Sequence, residues 1–134
     1  MLIRSSRQQI INHGGEWLRR FPWQWFLTLT FRRPSVSTTA AERHFKTYMA
    51  DSQQDPIYFF VIEKHSIHAS PHLHSLVGRV DALADWHHGI SEILPYDPTL
   101  GAAFYCMKFL TAPSVWWDIQ AKPSDLLSSK ESIA

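Results

Sequence analysis

Tyr105 and Lys108 stand three residues apart in an apolar stretch, and His72 and His74 stand two apart in an alternating one, with Glu63 upstream of them. On a strand, residues i and i+2 leave the same face, so both imidazoles would point the same way. If the strand ending at Glu63 pairs so that Glu63 opposes His72 or His74, the carboxylate joins them on that face. Two nitrogens and one carboxylate, with no thiolate, suit Mn²⁺, Mg²⁺, Fe²⁺ or Zn²⁺. The plainer reading is a half-exposed strand that happens to carry two histidines. On a helix, Tyr105 and Lys108 are neighbours on one face. A lysine there must reach solvent or meet an anion, because burying it unpaired is costly. The plainer reading of Tyr105 is an amphipathic core tyrosine.

A third group is basic and aromatic. Arg19, Arg20, Arg32 and Arg33 flank Trp17, Trp23 and Trp25. Cations contact phosphates and aromatic faces stack on unpaired bases; the alternative is a solvated basic surface around buried tryptophans. The formal net charge of +1 hides an asymmetry: residues 1–48 hold eight Lys/Arg and two acids, the rest five and ten. Together the three groups suit one reaction. A tyrosine hydroxyl can act as a covalent nucleophile, a divalent cation can orient a phosphoryl oxygen, and a lysine can offset charge developing on the phosphate.

Strands and helices must position these groups. Residues 4–13 suit a short helix stopped by Gly14-Gly15. Trp25 to Phe31 alternates as a strand and ends at Arg32-Arg33-Pro34. Thr38 or Thr39 caps a helix over about 40–50, with Ala41, Phe45, Tyr48 and Met49 as its apolar stripe. Ile57 to Glu63 and His72 to Val77 read as antiparallel strands joined by a short polar turn. Ala82 to His87 reads as a helical turn and Ile90 to Leu94 as a short strand. Leu100 to Thr111 is a helix ending before Pro113. Its apolar face is Ala103, Cys106, Met107 and Leu110, with Tyr105, Lys108 and Phe109 roughly opposite. The expected fold class is α+β, an antiparallel sheet with flanking helices. The functional domain is expected over 1–118. A polar tail, frayed and rich in serine (Ser124, Ser128, Ser129, Ser132), is expected over 119–134.

Other features bound the function. The 134 residues suit one domain. One cysteine, Cys106, excludes an intrachain disulfide and fits a reducing compartment. No apolar run approaches the ~18–20 residues of a membrane span. The N-terminus lacks the apolar core of a secretory signal, and no phosphate-binding G-x-x-x-x-G-K-[ST] loop occurs, so no ATP chemistry is expected.

At these same residues the chain resembles the HUH endonucleases, in particular the single-tyrosine rolling-circle replication initiators of small phages and plasmids. Phe26-Leu27-Thr28-Leu29-Thr30-Phe31 is similar to their first motif. Glu63 with Pro71-His72-Leu73-His74-Ser75-Leu76-Val77 is similar to the second, and Tyr105-Cys106-Met107-Lys108 to the third. The motifs occur in family order over residues 26–108. The segment Ile93-Leu94-Pro95-Tyr96-Asp97 also looks like that of small initiators.

The resemblance implies a sheet of about five antiparallel strands with flanking helices, an RRM-like palm. It implies site-specific nicking and rejoining of single-stranded DNA at an origin, presented open or in a hairpin. Tyr105 would become joined to the 5′ phosphate and Lys108 would sit near the scissile phosphate. Glu63, His72 and His74 would hold Mg²⁺ or Mn²⁺. A host helicase and polymerase in a prokaryotic cytoplasm would be the partners. Phe109 stands where two-tyrosine relatives carry a second tyrosine, and Thr111-Ala112-Pro113 stands where related initiators often have a second lysine. DNA contacts are expected from Arg19, Arg20, Trp25, Arg32 and Arg33, and from the loop histidines His65 and His68, which could otherwise be extra ligands. His87 and His88 are read as structural or exposed. Three alternatives stay open: a transposase or relaxase of the same superfamily, a non-catalytic sheet that binds single strands, and a metal-dependent hydrolase of a small substrate.

Overall fold

A computed structural model describes residues 6–66, 68–112 and 115–128. The chain runs α1 (Arg7–Leu18), β1 (Trp25–Thr30), α2 (Thr38–Ala50), β2 (Ile57–Glu63), β3 (His72–Gly78), β4 (Ser91–Pro95), α3 (Ala102–Leu110) and β5 (Val115–Gln120), then a short 3₁₀ turn at Pro123–Asp125. The five strands form one sheet in the order β4-β1-β3-β2-β5, with every neighbouring pair antiparallel. The fold is α+β, as the alternation of apolar residues predicts.

Each face of the sheet has its own core. Leu27, Leu29, Phe60, Ile62, Leu73 and Val77 face α2, whose stripe of Ala41, Phe45, Tyr48 and Met49 is buried against them. Phe59, Val61 and Leu76 face α3, which buries Ala103, Cys106 and Met107. The continuous apolar run of β2 is explained by its cover on both faces. Burial also pushes the Cys106 thiol up, so it packs as a small hydrophobe.

Helix α1 departs from the sequence-based expectation. It starts at the Ser6 cap, where a capping box with Gln9 satisfies its first amides, and runs through Gly14-Gly15 instead of stopping there. The glycines serve a close helix crossing. A Cβ on Gly15 would lie 2.2 Å from Phe104 Cδ1, and one on Gly14 would lie 2.0 Å from Met107 Cε. The packing gained by bringing α1 onto α3 outweighs their poor helix propensity. Gly15→Ala is therefore expected to destabilise: overpacking costs about 1–3 kcal/mol against the ~1 kcal/mol of propensity regained. A lower urea midpoint checks this; a higher one would mean that the helices do not need the close approach.

Other boundaries also shift. The cap of α2 is Ser37, whose Oγ accepts from Ala40 N–H, rather than Thr38 or Thr39. Residues 82–87 form no helical turn. They run irregularly because Tyr48 Oη donates to Ala84 O and Trp86 Nε1 donates to Thr30 O, which ties the segment down point by point. Strand β5 crosses the 118/119 boundary expected for the domain, since Ile119 and Gln120 pair with Phe59 and Tyr58. Beyond it, Leu127 N–H donates to Arg20 O and Asp125 pairs with Arg79. The chain is thus anchored to residue 127 rather than fraying from 119. The expectations placed on Arg4, Pro113, Ser129 and Ser132 lie outside the described residues.

Candidate active site

The register answers the question left by the strand spacing. Glu63 pairs with His72, and His74 pairs with Val61 on one side and Thr28 on the other. Directly paired residues share a face, with Cβ atoms about 4.5–5.5 Å apart. Glu63, His72, His74 and Thr28 therefore all lie on the face that α3 covers. They sit on adjacent rungs, with β3 at the centre of the sheet. The next residues along the His74 rung are Glu92 on β4 and Trp117 on β5.

Helix α3 brings Tyr105 to the same place. The Tyr105 ring meets His74 edge-on at 5.4 Å, Phe26 at 5.8 Å and Phe109 at 5.1 Å. Three aromatic neighbours restrict its side chain, yet the residue remains 43% exposed. Phe109 lies flat on His74, with ring centroids 4.3 Å apart and planes 22° apart. Lys108 is exposed in the last turn of α3, where a cation is favoured by the helix dipole. Of the two readings open to it, the structure places it in solvent.

His74 is only 5% exposed. Burial, aided by the nearby His72, lowers its pKa from 6.5 to about 4. At neutral pH the imidazole is uncharged. Its Nδ1 lies 3.3 Å from Thr28 Oγ1. The tautomer that donates from Nδ1 to Thr28 leaves the Nε2 lone pair available to a cation. Thr28 thus holds the Nδ1 side of the His74 ring. Its place was implicit in the Thr-Leu-Thr alternation of β1, but only the register reveals which histidine it meets.

The residue types of Glu63, His72 and His74 suit a hard or borderline divalent ion, and the register puts all three on one face. Among the described residues, however, no three His, Cys, Asp or Glu side chains are gathered closely enough to hold a metal. The side chains of His74 and Glu63 are engaged with other partners. His74 is occupied by Phe109 and Thr28, and Glu63 Oε1 lies 2.5 Å from His65 Nε2. His65, 77% exposed at the end of β2, therefore lies against a candidate ligand, while His72 is exposed on the paired strand. His68 is exposed in the β2–β3 turn, its amide donating to Ser66 Oγ.

The predicted DNA-contact residues fall into three locations. Arg32 and Arg33 are exposed just past Thr30, and Thr30 pairs with His72, so they stand at the His72–Glu63 end of the sheet. Arg19 and Arg20 follow α1 at the start of β1, a strand length away, roughly 17–20 Å. Trp25 is on the opposite face. It packs against the α2-side core and its Nε1 donates to Val80 O. Trp23 is also buried, its Nε1 donating to Leu18 O. The half-buried Trp25 indole thus has a packed face and a satisfied N–H, and it stands on the sheet face opposite Tyr105. The exposed indoles are Trp17, Trp116 and Trp117, and the last two were passed over in the sequence. Trp117 shares the face of His74, whereas Trp116 Nε1 donates to Glu42 on the α2 side. His88, read as structural or exposed, stacks on His44 at 4.0 Å.

Two grooves flank the cluster. One, of about 540 Å³, lies at the Glu63 end between His65, Ser37 and Trp116. Lys64 lines it, but its Nζ is held by Pro34 O and Val36 O. The other, of about 370 Å³, lies beside Tyr105 between β4 and the start of α3. No helix among the described residues is long and apolar enough to cross a membrane. No family model matches the chain, and neither a curated protein nor a solved structure matches it.

Proposed function

We propose that this chain nicks and rejoins single-stranded DNA at a replication origin, in a prokaryotic cytoplasm, through a covalent 5′-phosphotyrosine link. One observation carries the reading: Tyr105, partly exposed, packs edge-on against His74 on the sheet face that also bears His72 and Glu63. A tyrosine held by three aromatic neighbours, one of them a neutral imidazole, and still 43% exposed keeps its hydroxyl end within reach of a ligand. It suits attack on a phosphodiester.

In the proposed step Tyr105 Oη attacks phosphorus, the Oη–P bond forms and the P–O3′ bond breaks. The phenolic proton leaves to water and the departing 3′ oxygen takes up a proton. Glu63, His72 and His74 would hold Mg²⁺ or Mn²⁺, which supplies charge neutralisation at the phosphate oxygens. Phe26, His74 and Phe109 fix the phenol ring, which lowers the entropic cost of attack. Lys108, one helical turn from Tyr105, offsets negative charge on the phosphate. Because the phosphotyrosine is itself an ester, the 3′-OH can attack it in reverse and rejoin the strand. Host helicase and polymerase would supply unwinding and extension.

Incubation with random single-stranded oligonucleotides and Mn²⁺ should give a protein–DNA adduct that maps to Tyr105. Absence of any adduct with both Mn²⁺ and Mg²⁺ would overturn the reading. It would then favour a non-catalytic single-strand binder, for which the exposed Trp117 on the same face speaks.

Arg32 and Arg33 are proposed to meet the DNA backbone near the cleavage point. Replacing both by Ala should reduce the slope of log K against log salt by about 1.4, since each phosphate contact contributes ~0.7 for a single strand. Fluorescence anisotropy over a salt series measures it, and an unchanged slope would remove these arginines from the interface.

A further inference from the structure

The groove beside Tyr105 combines apolar walls with two carboxylates. Phe26, Leu94 and Leu100 give it apolar walls, and Tyr105 closes one side. Leu100 is 78% exposed and Leu94 44% exposed. Large apolar groups left open next to a reactive residue suit a flat apolar partner. The volume of about 370 Å³ lies within the range of small-ligand sites.

The polar groups then decide what enters. Glu92 lies on the His74–Thr28 rung, on the face of Tyr105, and lines the groove. Among the described residues no lysine or arginine forms a salt bridge with it. Asp97 also lines the groove, and hydrogen bonds from the Thr99 hydroxyl and amide lower its pKa, so it is ionised. Two carboxylates disfavour a phosphate between them, so a base is the better occupant of the part of the groove that Glu92 and Asp97 line. A carboxylate offers two acceptors side by side. Guanine matches it, because its Watson–Crick edge presents adjacent N1–H and N2–H donors. Cytosine and adenine place a ring-nitrogen acceptor beside the amino group, and thymine flanks its one N–H with carbonyl oxygens, so each sets an acceptor against the carboxylate.

We infer that this groove binds an unpaired guanine adjoining the scissile phosphate, with Glu92 accepting from its Watson–Crick edge. The inference rests on the nicking reading for its placement, but its recognition chemistry does not require cleavage. It makes Glu92 a specificity-determining residue and leaves Tyr105 as both nucleophile and groove wall.

The test compares binding of an all-dT decamer with dT decamers carrying one central dG, dC or dA, without metal, by anisotropy. The wild-type chain should bind the dG decamer about tenfold or more tighter than the others, as expected of one good bidentate contact. Glu92→Gln should abolish the preference for dG over dC and dA, read as a ratio of affinities within that variant, so that a uniform change in single-strand binding does not count. Equal binding of all four decamers, or a guanine preference that survives in Glu92→Gln, would overturn the inference. The adduct assay distinguishes the two ideas: adducts without guanine preference remove the groove and keep the enzyme, and guanine preference without adducts does the reverse.

Discussion

Tyr105→Phe should abolish the covalent DNA adduct while leaving single-strand binding within about twofold of wild type. The hydroxyl is the atom that would form the new bond, so its removal deletes the nucleophile rather than weakening a contact. A loss of at least a thousandfold is expected, on the order of what removing a covalent nucleophile costs. The aromatic ring is unaffected: the edge contacts to Phe26, His74 and Phe109 need no hydroxyl. The variant should therefore fold and melt as the wild type does. Denaturing gels of the protein with labelled single strands and Mn²⁺ read the adduct, and anisotropy reads the binding. A Phe variant that still forms adduct would place the nucleophile elsewhere and remove the functional reading with it.

The second large effect concerns the paired strands. His72→Ala should weaken Mn²⁺ binding at least about a hundredfold, the upper end of what loss of a supporting partner around a metal costs. Adduct formation should fall in parallel. His72 is the better test than His74, because it is exposed, so its removal leaves no cavity. His74 is buried under Phe109 and its loss would disturb packing as well as ligation. Calorimetric titration with Mn²⁺ checks the ion without requiring activity. Unchanged Mn²⁺ affinity in His72→Ala would show that the Glu63 and His72 pairing does not serve a metal.

Much of this arrangement was legible before any coordinates. Alternation in β1 and β3 follows from the period of two that a sheet imposes, β2 reads as a strand from its short continuous apolar run, and the two histidines had to share a face. What the chain alone could not supply was register. Nothing local distinguishes Glu63 opposite His72 from Glu63 opposite His74, and only the pairing of whole strands decides. The face that Trp25 takes is a related case. Its basic neighbours suggest a surface, yet its position of odd parity in β1 turns it to the α2 face. Gly14-Gly15 misled because helix propensity is a weak, local term and a close crossing with α3 is a strong, distant one. Strand β5 was missed because it is an edge. With Trp116, Trp117 and Asp118 all exposed, Val115-Trp116-Trp117-Asp118-Ile119 shows no alternation to read.

The glycine contact between α1 and α3 also bears on when the protein becomes competent. Gly15 meets Phe104, so the first helix of the chain seats the helix that carries Tyr105. Strand β2 likewise waits for β5, which follows that helix. Such non-local pairings slow folding, because the loop-closure entropy is spent before the contacts form. On a ribosome, α1 would emerge with its docking surface still unmade. The tyrosine would be held over its histidine only once α3 had been synthesised and packed against α1 and the sheet. An incomplete product would carry its basic residues and its tyrosine without the contacts that fix the phenol ring.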